Sequence, residues 1–365
     1  MDYTLFITKF VLVASFWCLT IGSAVGMPTN NWFDGIEIPF GRSVLPQPID
    51  REIYNNLFTY AHLIDISYCV SNVNQISEPF NCELDCQKRF PNVTLVHQWY
   101  NDDSDCGYIA TTTSNIFNYN LSSEGKKTII VSLRGTHSFF DSYTDIKVDM
   151  MQYSNLQQSL PYCGRKCMVH KGFFEYFAAT LLQIHDVLDD ELSTDDYELI
   201  IVGHSMGGSV ALFLALHYLD LGYDKLTLVT MGQPLVGNKE FVTWADEVLG
   251  SLEKPVHNTF HRKYFRVVHK NDIVTTIPKT NNLMNSYHQF DNQIYLNCSA
   301  TNSEPSPDEV VDCVYGDNQN CIKGDFQPIK MIEDVNRNYY FSHNTYFRKM
   351  GLCGMKIFNQ EASLR

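Results

Sequence analysis

Apolar side chains return at helical spacing over residues 53–70, and the same period runs through 172–192, which ends on acidic residues. Elsewhere the apolar positions gather into short runs. Residues 94–99 and 108–113 read as strands, and 127–133 is a β-branched run opening into Arg134-Gly135-Thr136, as a buried strand does on meeting a loop. The centre is the most regular part: a strand at 197–202, a mostly apolar helix at 205–221, and strands at 226–231, 264–268 and 293–296. Strand, helix and strand at this spacing predict right-handed βαβ units in a largely parallel sheet, and so an α/β fold. The polar stretch 298–325, with its Pro, Asp, Asn and Cys, reads as a long disulfide-tied loop. No repeat or linker divides the chain, so one domain is expected over 53–365, preceded by an extended arm at 25–52.

The first 24 residues break the pattern. Lys9 precedes an apolar run over 10–21 that is short for a membrane span of ~20 residues, and Gly22-Ser23-Ala24 supplies the small residues of a cleavage site. A signal peptide over 1–24 and an extracellular protein are expected, with no transmembrane anchor. The cysteines agree with export. Of the 11, Cys18 leaves with the signal, and an even set remains at 69, 82, 86, 106, 163, 167, 298, 313, 321 and 353. Zinc is the competing use for the Cys-x3-Cys pairs, but no Cys-His pattern joins them, and no metal or other cofactor is expected. Sequons at Asn92, Asn120 and Asn297 suit a glycosylated surface. A formal net charge of -14 argues against a nucleic-acid partner and against capture by anionic membranes, so contact with lipid would use apolar surface.

Gly203-His204-Ser205-Met206-Gly207 matches G-x-S-x-G. The pentapeptide alone is a weak signal. Its setting, directly after an apolar strand and directly before an apolar helix, is what a nucleophile elbow requires: Gly203 and Gly207 leave room for a sharp turn that holds Ser205 at a helix N-terminus. A serine hydroxyl needs a base oriented by a carboxylate, and on hydrolases of this architecture the chain order is Ser, acid, His. Asp272 fits the acid, in the loop leaving the strand at 264–268, whereas Asp246 lies in a predicted helix and Asp291 beyond the next histidine. His288 and His343 remain in competition for the base. His204 is excluded, because the elbow turns its side chain away from Ser205. The Met206 amide supplies one oxyanion donor, and Thr136, in the loop after an earlier strand, is the candidate for the other.

Taken in order, Leu133-Arg134-Gly135-Thr136-His137-Ser138, Val169-His170-Lys171-Gly172-Phe173, the elbow, Gly232-Gln233-Pro234, Asp272-Ile273-Val274 leading to Pro278, and His343 with Tyr346 resemble the fungal (class 3) lipase family, and within it the secreted yeast branch. The resemblance implies an α/β-hydrolase-type fold with a central mixed, mostly parallel sheet flanked by helices. It implies a triad of Ser205, Asp272 and His343, oxyanion donors at Thr136 and Met206, and a lid over 137–145 with Phe139, Phe140 and Tyr143 as its apolar members. Relatives carry tryptophan where this chain has Ser142, and proline where it has Thr275. Disulfides Cys69–Cys353, Cys82–Cys86 and Cys163–Cys167 are also implied, leaving Cys313–Cys321 and Cys106–Cys298. The expected activity is that of a secreted, monomeric serine lipase acting on triacylglycerols at an oil-water interface. A phospholipase A1 or feruloyl-type esterase on the same scaffold, or a lipid-binding protein with a decayed site, are the alternatives.

Overall fold

The computed structural model describes residues 44–102, 105–117, 126–136, 148–193, 196–251, 262–278, 286–299, 301–322 and 338–353. The lid residues Phe139, Phe140 and Tyr143, the sequon at Asn120 and the expected signal peptide lie outside them. The first half of the chain runs β1 (Gln47–Pro48), α1 (Arg51–Ser67), α2 (Cys86–Arg89), β2 (Thr94–Asp102), β3 (Asp105–Thr112), β4 (Lys127–Leu133), β5 (Met150–Gln152), β6 (Met168–His170) and α3 (Lys171–Leu192). The second half follows with β7 (Tyr197–His204), α4 (Met206–Asp220), β8 (Leu226–Met231), α5 (Lys239–Val248), β9 (Tyr264–His269), β10 (Gln293–Leu296), β11 (Val310–Val314), α6 (Gln319–Ile322) and α7 (Asn338–His343).

Nine strands form one sheet in the order β1-β11-β10-β9-β8-β7-β4-β3-β2. Strands β4, β7, β8, β9 and β10 are mutually parallel, and antiparallel strands close both edges. The apolar runs of the parallel strands are continuous because both faces are covered. In β7, Leu199 and Ile201 enter one core with α3, α4 and α5, while Ile200 and Val202 enter the other with α1. Helix α4 is apolar all round for the same reason: every residue but His217 is buried. Pairing of Leu133 with Gly203, Gly203 with Thr230, and Met231 with Val267 brings the carboxyl ends of β4, β7, β8 and β9 level. The loops leaving that edge carry Thr136, Ser205 and Asp272.

Two segments depart from the pattern-based reading. The stretch expected as a loop over 298–325 contains β11, which pairs antiparallel with β10, and the last residues of the expected arm form β1 on the outer edge of β11. Asn318 and Asn320 side chains both donate to the Val44 carbonyl and hold that edge in place. Disulfides join Cys69 to Cys353, Cys82 to Cys86, Cys163 to Cys167 and Cys313 to Cys321. The remaining expectation, Cys106 to Cys298, is wrong. Cys106 lies on β3 and Cys298 follows β10, five strand spacings of about 4.8 Å apart across the sheet. Cys106 instead receives a hydrogen bond from Arg134 Nε, and Cys298 sits 3.3 Å from His269 Nε2.

Candidate active site

Strand β7 ends at His204, and helix α4 begins at Met206, so one residue makes the whole turn. Ser205 has φ 57° and ψ -130°, a backbone conformation that side chains rarely accept. Its neighbours must be small for a steric reason. A Cβ on Gly203 would lie 2.3 Å from the Gly207 carbonyl oxygen, and one on Gly207 would lie 2.4 Å from the Arg134 carbonyl oxygen. The two glycines thus let the turn close on itself and let the loop after β4 pack against it. That loop is the Arg134-Gly135-Thr136 segment, with Gly135 directly beside Ser205.

The structure brings Ser205 together with Asp272 and His343, which come from separate parts of the chain. His343 Nε2 is 2.9 Å from Ser205 Oγ, and its Nδ1 is 2.9 Å from Asp272 Oδ2 and 3.1 Å from Oδ1. All three side chains are buried. A ring nitrogen facing a carboxylate carries the proton, which leaves the lone pair of Nε2 turned toward the serine hydroxyl. Asp272 accepts two further bonds, from the Val274 amide at 2.9 Å and from the Tyr346 hydroxyl at 2.5 Å. Burial and the adjacent Asp272 carboxylate push the Tyr346 hydroxyl well above its ordinary value, so it stays a donor. Thr275, noted above as a departure from the family pattern, donates its hydroxyl to the Asp272 carbonyl at 2.8 Å and fastens the loop.

The other carboxylates and histidines lie elsewhere. His288 is half-buried and hydrogen-bonded to Ser286. Asp246 and Asp291 form a buried acidic pair, the Asp291 amide donating to both oxygens of Asp246. Met206 is buried at the first position of α4, and Thr136 is half-buried. Asn92 and Asn297 are exposed, with Asn297 Oδ1 accepting from Lys270. Among the described residues, no group of three or more His, Cys, Asp or Glu side chains could hold a metal ion.

Known proteins share this arrangement of elements. The family model for lipase (class 3) matches residues 130–282. A secreted mono- and diacylglycerol lipase 2 of Gibberella zeae is 26% identical over 354 residues, 84% of each chain. The crystal structure of the Lip2 lipase from Yarrowia lipolytica superposes with a TM-score of 0.71 at 30% identity, covering 85% of this chain and 98% of that one. The chain belongs to the class 3 lipase family. A lipase from Rhizopus microsporus var. chinensis has the same fold at 23% identity, with a TM-score of 0.63 over 91% of this chain.

For this lipase, reading the sequence located Ser205 and Asp272 but gave no role to two polar residues packed beside them. His204 and Tyr68 are both buried and hydrogen-bond to each other, 136 residues apart in the chain. No local pattern announces such a pair. The one available signal was negative: a histidine beside Ser205 that the elbow turns away from it needs another partner. Among the described residues, no helix is long and apolar enough to cross a membrane.

Proposed function

We propose that this lipase is a secreted enzyme that hydrolyses acyl esters of glycerol through a Ser205–His343–Asp272 triad and an acyl-enzyme. The observation that carries the reading is the unbroken chain of contacts from Ser205 Oγ through both nitrogens of His343 to Asp272, built on a strained elbow. His343 Nε2 takes the proton of Ser205 as Oγ attacks the ester carbonyl. The Thr136 and Met206 amides hold the oxyanion, aided by the free N–H groups at the start of α4. His343 then gives the proton to the departing alcohol, and Asp272 stabilises the imidazolium meanwhile. Water, with His343 again as base, releases the fatty acid and restores Ser205.

The acylglycerol assignment draws on the names of the relatives and on the resemblance that places a lid at 137–145. Secretion draws on the apolar leader over 1–24, the four disulfides and the secreted relative. The test is Ser205→Ala against emulsified tri-, di- and monoacylglycerols, with a phospholipid and a feruloyl ester alongside. Activity is expected to fall by ~10⁶-fold, to background, with the unfolding midpoint unchanged. Residual turnover near the wild-type rate would exclude Ser205 as nucleophile. A wild-type preference for the phospholipid or feruloyl ester would redirect the substrate assignment.

A further inference from the structure

The mechanism uses three side chains and two amides, yet a buried histidine beside them, held at both ring nitrogens, is none of these. His204 ends β7 and points away from Ser205. Its Nε2 is 2.7 Å from the carbonyl oxygen of His343, and its Nδ1 is 2.6 Å from the hydroxyl of Tyr68, the residue that caps α1. The Tyr68 oxygen in turn accepts the amide of Gly135 at 3.2 Å. Partner chemistry fixes every proton in this series. A carbonyl can only accept, so Nε2 carries the hydrogen. Nδ1 must then accept from Tyr68, and the Tyr68 oxygen accepts the Gly135 amide. Burial, and next the charge of His343, push His204 down to about 3, so its ring stays neutral at neutral pH and the partners above fix its tautomer.

Each end of the series reaches a part of the proposed machinery. Gly135 precedes Thr136, the proposed oxyanion donor. The carbonyl held by His204 belongs to His343 itself, and the two imidazole rings lie 4.7 Å apart at 33°. The middle of the series is rigid: Tyr68 lies beneath the Arg134 guanidinium, 5.9 Å from its ring centroid, and precedes Cys69, which is bonded to Cys353 beyond the histidine.

We propose that Tyr68 and His204 are positioning residues that tie the oxyanion loop and the backbone of His343 to the strand carrying the nucleophile. This rests on the triad reading given above. It predicts a defect in the rate of chemistry rather than in substrate capture, because both side chains are buried and meet protein groups at every hydrogen bond given above.

The test uses the full chain with Tyr68→Phe, His204→Leu and His204→Gln, plus the double variant of the first two. Each is assayed on a short water-soluble ester, and competent sites are counted with a fluorophosphonate. Tyr68→Phe and His204→Leu should each lower kcat per titrated site by about tenfold, with KM within about twofold of wild type. The double variant should lose far less than the product of the two, since both break one series. His204→Gln, whose amide can still donate to the His343 carbonyl, should regain most of the rate even where its unfolding midpoint matches that of His204→Leu. An unchanged kcat per site in the single variants, or a loss that follows the unfolding midpoint with Gln no better than Leu, would overturn the proposal. Failure of the fluorophosphonate to label Ser205 in the wild type would strike the triad reading instead.

Discussion

Gly135 is the residue through which the proposed oxyanion loop touches Ser205. A Cβ there would come within 2.6 Å of the Ser205 Cβ and 3.0 Å of the His204 carbonyl oxygen. Both are held by the turn, so the loop must give way. Gly135→Ala should therefore draw Thr136 off the oxyanion and lower kcat on a soluble ester by ~10²-fold, the effect of losing one such donor. The unfolding midpoint should move little, since the loop meets solvent at Thr136. Steady-state kinetics with thermal melts on the same preparation check this. At this scale the sequence was legible only where chemistry is local. The elbow announces itself because Ser205 and its glycines are contiguous, and Asp272 because it leaves a strand end. His343 competed with His288 until family resemblance favoured it, because nothing in its neighbours records which loop folds back over the sheet edge. Tyr68 was invisible for the same reason.

Elements inherit their legibility from burial. Strands β4, β7, β8 and β10 are covered on both faces, so their apolar runs stand out and their bounds are readable. Strand β11 lies near the sheet edge, with Val311, Asp312 and Val314 only partly buried. It can therefore carry an aspartate and hide in a polar stretch. Helix α4 shows a different compromise. It ends on Asp220, a carboxylate at the negative pole of the helix dipole. Burial opposes its charge, but the amides of Leu160, Ser159 and Gln157 outweigh that and hold the carboxyl below its usual range. It accepts from four successive amides, 157 to 160, at 2.8–3.1 Å, and from Asn155. The loop after β5 is thereby fastened to the far end of the helix that follows Ser205. Asp220→Ala should cost about 2 kcal/mol in urea unfolding, moderated because residues 157–159 are exposed and water can replace the lost acceptor.

Across the whole molecule, buried titratable groups pull stability in opposite directions with pH. Burial drives His62 and His204 down to about 3, so their stabilising contribution is lost as pH falls below the ordinary histidine value of 6.5. Burial drives Asp65 up to about 6, and burial with the like charge of Asp291 drives Asp246 up to about 7. A raised carboxyl contributes fully below its unfolded value of 3.8, and that contribution is lost as pH rises through the folded value. Asp246 faces the Asp291 carboxylate, which opposes its ionised form, and the Asp291 amide, Ser251 and Arg266, which favour it, but burial and the like charge outweigh these. Asp246→Asn, which stays neutral, should thus be most destabilising relative to wild type near pH 4. The gap in melting temperature should narrow steadily up to about pH 7 and stay constant above it. A constant gap across the range would show that Asp246 does not titrate as its surroundings dictate.

The Cys69–Cys353 bridge spans 284 residues, and His343 lies 138 residues beyond Ser205. A chain made from its N-terminus delivers Ser205 long before the base proposed to activate it, and the Cys69–Cys353 tie cannot form until residue 353 has emerged. Exported as proposed, the enzyme would be an inert polypeptide through much of its passage across the lipid bilayer. The ability to cut esters would arrive only with residue 343, when most of the preceding chain has left the membranes of the cell that makes it.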